Sequence, residues 1–364
     1  MWYQTRLVLL LGCWLCAQPL YAQDPQFSQF HAVRSYLNPA MVGLQPGISL
    51  NVAYRNQWFE IPGGFRTFYG AVEVQEPNLN AAFGLSVFHD AEGQASLVTQ
   101  RVAFTYNYFV SPNLQIGLEP SVTRKFLDWK TFVFPDQLDP IFGVTQTSVA
   151  IPVLDQTYTF DMGFGAAYRG DLKGKHDGRY LIGLSAHHLW PWREESLQNL
   201  AAKAPTRFTL HGGIELPITR HHAGDVRARH LTWLPSFKYE YHNPFQVLTL
   251  GCHVIYENAA YVGFFHQHRH VIDGKNTNAM TLLLGYKFEI GKSQLLDLGF
   301  NYDANGTGLS LRSGGVFEMT MNLNFQASTL FSQGRFATKK SGIFGGSGMN
   351  NSGRKRILDC KSFF

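Results

Sequence analysis

Hydrophobic and polar residues alternate with a period of two along most of the chain. In the stretch 48–57, for example, Ile48, Leu50, Val52 and Tyr54 alternate with polar or small residues. This alternation predicts β-strands with one apolar and one polar face, because successive side chains of a strand point to opposite sides. Several runs reach the ~9–11 residues that a tilted strand needs to cross an outer membrane, whereas strands of soluble proteins usually hold about five or six.

Aromatic residues often mark the ends of these runs, as Trp58, Tyr106 and Trp190 do. Aromatic girdles at both interfaces are typical of membrane barrels. Because every backbone group must be paired in lipid, such strands have to close into a barrel. The sequence therefore predicts an all-β protein with a transmembrane antiparallel β-barrel of about 14 strands; a soluble β-sandwich is the alternative. The predicted strands are 48–58, 65–75, 80–89, 97–110, 113–124, 157–169, 179–190, 206–217, 231–242, 246–257, 260–268, 279–291, 295–303 and 315–327.

The first 22 residues are predicted to be a signal peptide. Arg6 precedes the apolar run 7–17, and a cleavage site follows Ala22, which is the order of regions in a secretory signal. A lipoprotein signal at Cys13 is an alternative with a very short apolar region. An uncleaved anchor is disfavoured, because the run falls well short of the ~20 apolar residues that span a bilayer. We therefore expect the protein in the cell outer membrane as a multi-pass barrel.

The mature chain is predicted to hold a single domain. Residues 23–327 form the barrel, with a turn-rich N-terminal segment at 23–47 before the first strand. The long stretch 125–156 is expected to be an ordered extracellular loop or a lid folded into the lumen. Residues 328–364 are rich in Gly and Ser with scattered Lys and Arg, and are expected to form a flexible basic tail.

Composition narrows the class of protein. Only 16% of the 364 residues are charged while 14% are aromatic, which excludes an intrinsically disordered chain. The net charge of +5 is mild and does not indicate a nucleic-acid partner. Beyond the signal peptide only Cys252 and Cys360 remain, so both are expected to be free thiols outside any disulfide framework.

Few residues are candidates for chemistry. His266, His268 and His270 alternate on one strand face; they are weak candidates for a metal site, and a polar row at the strand end is the preferred interpretation. Ser185 and His187 share a face without an evident third partner for nucleophilic catalysis. No P-loop, zinc-protease helix or nucleophile elbow occurs. We therefore expect no catalytic residue and no cofactor, so the protein is predicted not to be an enzyme.

Charges of both signs are expected to point into the barrel, which predicts a lumen narrowed by salt bridges rather than a channel of one sign. The expected inward charges are Arg55, Arg101, Arg169, Lys238 and Lys287 against Glu119, Asp161, Glu215, Glu289, Asp297 and Glu318.

Several blocks of the sequence resemble a known family. The start 23–30, the block 36–43 with Leu-Asn-Pro-Ala and the block 54–58 with Arg-Asn-Gln-Trp resemble the PorP/SprF family of outer-membrane barrels, which is linked to type IX secretion and gliding motility in the Bacteroidetes. Phe317 departs from the family pattern, in which a His precedes the Glu. The signature residues that the resemblance carries over are Asn38, Pro39, Arg55, Gln57, Trp58, Tyr302, Asp303 and Glu318.

The resemblance implies a non-enzymatic accessory of type IX secretion. Such a protein assists export or surface attachment of a secreted client such as an adhesin. Its expected partners are outer-membrane lipid, that client, and periplasmic and outer-membrane secretion proteins, with no nucleic acid. A transport barrel for a small solute is the alternative, and a barrel hydrolase is a third possibility. A filled lumen of mixed charge favours the first function, and an open lumen of one charge sign favours the second.

Overall fold

The computed structural model of the protein is a closed barrel of fourteen antiparallel strands. It describes residues 25–93, 97–128, 132–139, 141–144, 148, 156–172, 178–190, 205–218, 231–271, 276–290, 294–305 and 313–325. The barrel strands are β1 (Ile48–Gln57), β2 (Phe65–Glu76), β3 (Ala81–Glu92), β4 (Leu97–Phe109), β5 (Leu114–Leu127), β8 (Gln156–Leu172), β9 (Gly178–His187), β10 (Arg207–Pro217), β11 (Leu231–His242), β12 (Phe245–Tyr256), β13 (Ala260–Val271), β14 (Thr277–Ile290), β15 (Gln294–Asn305) and β16 (Val316–Phe325), with β6 (Leu138–Asp139) and β7 (Gly143–Val144) between β5 and β8.

Each barrel strand pairs with its neighbours in sequence, and β1 pairs with β16 to close the barrel. The small hairpin of β6 and β7 stands apart, so β5 pairs directly with β8. Closure leaves no free sheet edge, which is what a lipid environment demands of strands. The predicted antiparallel barrel of about 14 strands is confirmed, and all of the predicted strands are found with small shifts at their ends.

The two faces of the wall follow the alternation in the sequence. On β14, Leu282 and Leu284 point outward and each is 52% exposed, while Leu283 between them points inward and is 1% exposed. Outward apolar side chains of this kind form the surface that meets lipid in an outer-membrane barrel. Within the described residues, no helix has both the length and the apolar character needed to cross a membrane.

The two ends of the barrel differ. We call the end where β1 begins and β16 finishes the base, and the opposite end the loop end. The strands joined by the long connections 128–155 and 188–206 end and begin at the loop end, whereas the short turns 110–113 and 257–259 lie at the base. Single-chain outer-membrane barrels have short periplasmic turns and longer extracellular loops, so the base faces the periplasm.

Of the two alternatives for the stretch 125–156, an extracellular loop or a lid folded into the lumen, the described part agrees with the loop. Residues 132–139 and 141–144 include the β6–β7 hairpin, in which Ile141 is 83% and Phe142 79% exposed. Side chains this exposed are not packed into the lumen. The predicted signal peptide, the predicted tail 328–364 and Cys360 lie outside the described residues; Cys252 is a free cysteine.

Leu284→Arg is expected to destabilise the barrel by about 2–4 kcal/mol, because it places a charge on the lipid face near the middle of β14. The measurement is the urea midpoint of the heat-modifiable band after reconstitution into vesicles. Leu284→Phe is the matched control, since it keeps the position apolar, and should change the midpoint little. Equal midpoints for Leu284→Arg and wild type would show that this face does not meet hydrocarbon.

Candidate functional site

The amino-terminal segment lies inside the barrel. We call residues 25–46 the plug. It contains a short helix, α1 (Arg34–Leu37), followed by a single 3-10 turn at Pro39–Met41. Nearly all of its side chains are buried, and Asn38, Ala40, Met41 and Val42 have no measurable exposure. The segment predicted as a turn-rich approach to the first strand therefore fills the lumen of the barrel that follows it.

The plug runs along the length of the lumen. Near its beginning, the Ser28 hydroxyl accepts a hydrogen bond from Arg55, which lies near the loop end of β1. Its last residues reach the base, where the Pro46 carbonyl accepts a hydrogen bond from Asn324 at 3.1 Å. The chain then turns at the base and enters β1. The plug therefore places its amino-terminal end at the extracellular side of the barrel.

The part of the plug nearest the loop end is held by a cluster that we call the latch. The latch is formed by Arg55, Asp303 and Glu318 of the barrel strands. The Glu318 carboxylate accepts hydrogen bonds from the backbone N–H groups of Ser28 at 3.0 Å and Gln29 at 2.8 Å. Arg55 lies 3.0 Å from Glu318 and donates to the Ser28 hydroxyl at 2.9 Å. The Ser28 hydroxyl also bonds to Asp303. Three residues from β1, β15 and β16 thus bind one short stretch of the plug.

The Gln29 side chain extends the latch. It donates to Asn301 at 2.7 Å and accepts from Thr320 at 2.8 Å, so its amide is satisfied on both sides. Asn301 in turn donates to Asp303 at 2.8 Å. Buried polar networks of this kind are stabilising when their members are satisfied, and costly when one member is removed.

The part of the plug nearer the base is held by a cluster that we call the seat, which is centred on Asn38. Its side-chain oxygen accepts from the Ala40 N–H at 2.9 Å and caps the turn at Pro39–Met41. Its side-chain nitrogen donates to the carbonyls of Ala166 at 3.1 Å and Leu184 at 3.2 Å, and lies 3.0 Å from His211 Nε2. One asparagine therefore shapes the turn and binds it to strands β8, β9 and β10.

Inward-facing glycines make room for the seat. A Cβ atom at Gly165 would overlap Asn38 Oδ1, and one at Gly117 would lie 2.5 Å from the Ala40 nitrogen. Both contacts would be closer than van der Waals distance. Any larger residue at these positions would therefore displace the turn at Pro39–Met41 from the barrel strands. Glycine in the middle of a strand weakens it, and close approach of another backbone is a usual reason for it.

Side chains of the barrel strands also donate hydrogen bonds to backbone carbonyls of the plug. Asn107 donates to the carbonyls of Ala40 at 2.9 Å and Val42 at 2.7 Å. The Ser185 hydroxyl donates to the Leu37 carbonyl at 2.8 Å. A non-strand segment in a barrel lumen needs such partners, because a buried carbonyl without one is costly.

Apolar contacts complete the packing of the plug. Phe30, Leu37, Met41 and Leu44 pack with inward residues of β9 and β11–β14, and Phe27, Val33 and Tyr36 pack with inward residues of β1–β3. Burying such a side chain contributes about 1.5–3 kcal/mol, which is comparable with the 1–2 kcal/mol that fixing one residue's backbone costs. Specific polar contacts at the latch and the seat therefore matter for holding the plug in one position.

The predicted lumen of paired charges is confirmed in part. Arg101 lies 2.8 Å from Glu119, Lys287 lies 3.9 Å from Asp297, and Arg55 belongs to the latch. Lys238 pairs with Glu240, Glu215 with Arg179 and Asp161 with His188. Two predicted lumen charges are corrected. Arg169 is near the base and donates to the Pro112 carbonyl of a turn, and Glu289 is exposed close to the end of β14, since both lie where the strands leave the lumen.

The structure brings together several of the signature residues. Arg55, Gln57, Asp303 and Glu318 meet at the latch, where Arg55 Nη2 lies 3.5 Å from Gln57 Oε1, and Asn38 with Pro39 forms the seat. Trp58 lies just past β1, where its backbone N–H donates to Gly315 and its ring contacts Phe65. Tyr302 faces outward and pairs across strands with Phe317.

The three alternating histidines lie on the outer face of β13 near the loop end, and not in the lumen. His268 contacts Asn278 and His270 contacts Asn276, each at 2.7 Å. In the described part of the chain, no three His, Cys, Asp or Glu residues converge in a way that could hold a metal ion. Ser185 and His187 face inward and are each 1% exposed.

The closed fourteen-strand wall with an outward apolar face defines an outer-membrane β-barrel, here with its own amino-terminal segment in the lumen. A family model described as type IX secretion system membrane protein PorP/SprF matches residues 20–323. The chain belongs to this family and is a membrane protein of the type IX secretion system, located in the outer membrane.

Solved structures with a similar fold include hydrocarbon transporters. The toluene transporter TodX of Pseudomonas putida has 9% identity and a TM-score of 0.45, and the match covers 85% of this chain and 100% of TodX. The toluene transporter TbuX of Ralstonia pickettii has 13% identity and a TM-score of 0.41, with coverage of 80% of this chain and 92% of TbuX. No curated protein sequence matches the chain significantly.

Proposed function

We propose that the protein is a plugged, non-enzymatic barrel that assists type IX secretion by binding other proteins. Its client is a secreted protein such as a surface adhesin, and its other partners are periplasmic and outer-membrane components of the secretion system. In this function the barrel is a fixed platform in the outer membrane, and its loops and turns provide the contact surfaces.

The position of the plug is the observation that supports this proposal. Residues 25–46 lie in the lumen and are bound to wall strands on all sides, at the latch and at the seat. A barrel that carries a small solute needs a continuous path through its lumen. The alternative of a transporter therefore requires the plug to leave, which would break both clusters.

The contacts of Ser185 and His187 favour binding over catalysis. The Ser185 hydroxyl donates to the Leu37 carbonyl of the plug, so it is engaged in packing. His187 lies 3.8 Å from Glu119, which is itself paired with Arg101. Both residues are closed off from substrate by the plug, whereas a nucleophile needs a base within reach and an open position for the reacting atom.

Affinity purification from native outer membranes tests the proposed function. The protein carries a tag at its carboxyl terminus, and an unrelated outer-membrane barrel with the same tag is the control. We expect secretion-system proteins and a secreted client to copurify with this protein alone. Elution of the same set of proteins with both barrels would contradict the proposal.

Ser185→Ala should leave export of the secreted client within about twofold of wild type. The substitution leaves the buried Leu37 carbonyl without its donor, which costs about 1–3 kcal/mol of stability, but it removes no catalytic group. The measurement compares client export with the amount of assembled barrel in the same cells. If export is lost while the barrel assembles at normal levels, the non-enzymatic function is wrong.

A further inference from the structure

A row of polar side chains crosses the outer face of the barrel close to the loop end. His89, Gln100 and Arg124 are directly opposite one another on β3, β4 and β5. Gln100 lies 3.3 Å from His89, and Arg124 donates to Gln156 of β8 at 2.7 Å. Arg66 lies on the same face of β2, opposite Ala91 and diagonal to His89. We call these five residues, Arg66, His89, Gln100, Arg124 and Gln156, the outer polar row.

The outer polar row directly borders the apolar band. Two residues nearer the base on the same strands, Val87 is 45%, Val102 51% and Val122 36% exposed. Two residues of a strand span about 6.6 Å, so the row lies one step beyond the hydrocarbon region. Because the loop end faces outward, this is the level of the headgroups of the outer leaflet.

Among the described residues, the outer face at the base holds no equivalent row. The outward positions there carry aromatic side chains, among them Tyr106, Tyr108 and Tyr168, which are 39%, 38% and 42% exposed. Tyrosine at a membrane interface needs no specific headgroup. In the described part of the chain, the polar and basic residues of the outer face are therefore concentrated at the loop end.

Among the described residues, no carboxylate pairs with the arginines of the row. Arg124 is bonded to the neutral side chains of Gln100 and Gln156 and lies over the ring of Phe126 at 4.5 Å. Arg66 is exposed. The outward positions at this level on β2, β3, β4, β5 and β8 hold no carboxylate. Inside the barrel, by contrast, Arg55 and Arg101 each face a carboxylate.

We propose that the outer polar row binds the phosphorylated headgroup of a glycolipid in the outer leaflet. Arginine matches phosphate in geometry as well as in charge, because its guanidinium can donate two parallel hydrogen bonds. Gln100 and His89 lie between the two arginines, where their polar groups can meet sugar hydroxyls. His268 and His270, on the outer face of β13 near the same end, extend this polar surface to another side of the barrel.

The test measures lipid binding by the purified full-length barrel in nanodiscs of neutral lipid. The probes are lipid A with its phosphates and lipid A from which the phosphates have been removed. We expect the wild type to prefer the phosphorylated form. The variant Arg66→Gln/Arg124→Gln should bind that form more weakly, on the order of fivefold for each arginine removed, and should bind the dephosphorylated form as the wild type does.

Arg169→Gln is the matched control, since Arg169 is an arginine near the base and should not affect lipid A binding. Equal binding of the two lipids by the wild type would overturn the proposal, and so would an equal loss in the Arg169→Gln control. If the double variant does not assemble, the comparison of the two lipids on the wild type still decides the question.

Discussion

Gly165→Val is expected to detach the plug from its seat and to expose it to solvent. The new side chain would overlap Asn38, which binds the carbonyls of Ala166 and Leu184. Overpacking costs about 1–3 kcal/mol, and each lost hydrogen bond adds about 1 kcal/mol. If the free energy of opening the plug falls by about 3 kcal/mol, the population of open molecules rises roughly a hundredfold.

A cysteine at position 35 reports the opening. Ser35 is 2% exposed and bonds to the Tyr69 hydroxyl, so Ser35→Cys, in a chain without the native cysteines, should react slowly with a maleimide. Adding Gly165→Val should raise the labelling rate by roughly a hundredfold. Gly70→Val is the control, because a Cβ there meets its nearest neighbour, Val87, at 3.5 Å. Equal labelling rates in the Gly165→Val and Gly70→Val chains would show that the seat does not hold the plug.

Glu318→Ala should destabilise the folded protein by about 3–5 kcal/mol, the usual cost of removing one partner of a buried ion pair. Glu318 has no exposure and accepts from two plug N–H groups in addition to facing Arg55. The substitution leaves those donors without their acceptor in a buried site. Glu318→Gln keeps an acceptor oxygen and should have a smaller effect.

The urea midpoint of the reconstituted barrel measures this effect. Glu215→Ala is the matched control, because it removes a carboxylate that pairs with Arg179 between two neighbouring wall strands. The Arg179 side chain is 26% exposed, and partly exposed pairs contribute about 1 kcal/mol or less. If Glu318→Ala is no more destabilising than Glu215→Ala, the latch does not hold the plug.

The barrel could be predicted from the sequence because lipid and lumen impose opposite demands on alternate residues. The strand predicted at 231–242 has the observed bounds, and the one predicted at 260–268 extends to Val271. Errors concentrate at the ends, as for Arg169, where strands leave the lipid and the alternation no longer reports which side faces the lumen. That charges of both signs point into the lumen could be predicted for the same reason.

The plug could not be predicted from periodicity, because a segment buried on all sides has no polar face. Phe27 and Gln29 are both fully inside the barrel, although one is apolar and one polar. The sequence does carry a signal, in the inward glycines at positions 117, 165 and 183, which have no role in a wall that faces water. The latch residues come from opposite ends of the chain, and only the closure of β1 on β16 brings them together.

Ion conductance of the unmodified protein in a planar bilayer tests the central claim most directly. The plug fills the lumen, so the wild type should insert without opening a steady pore. A chain lacking residues 25–44 should give steady conductance of the kind expected for an open barrel. A steady conductance through the wild type, equal to that of the deleted form, would contradict the plugged lumen.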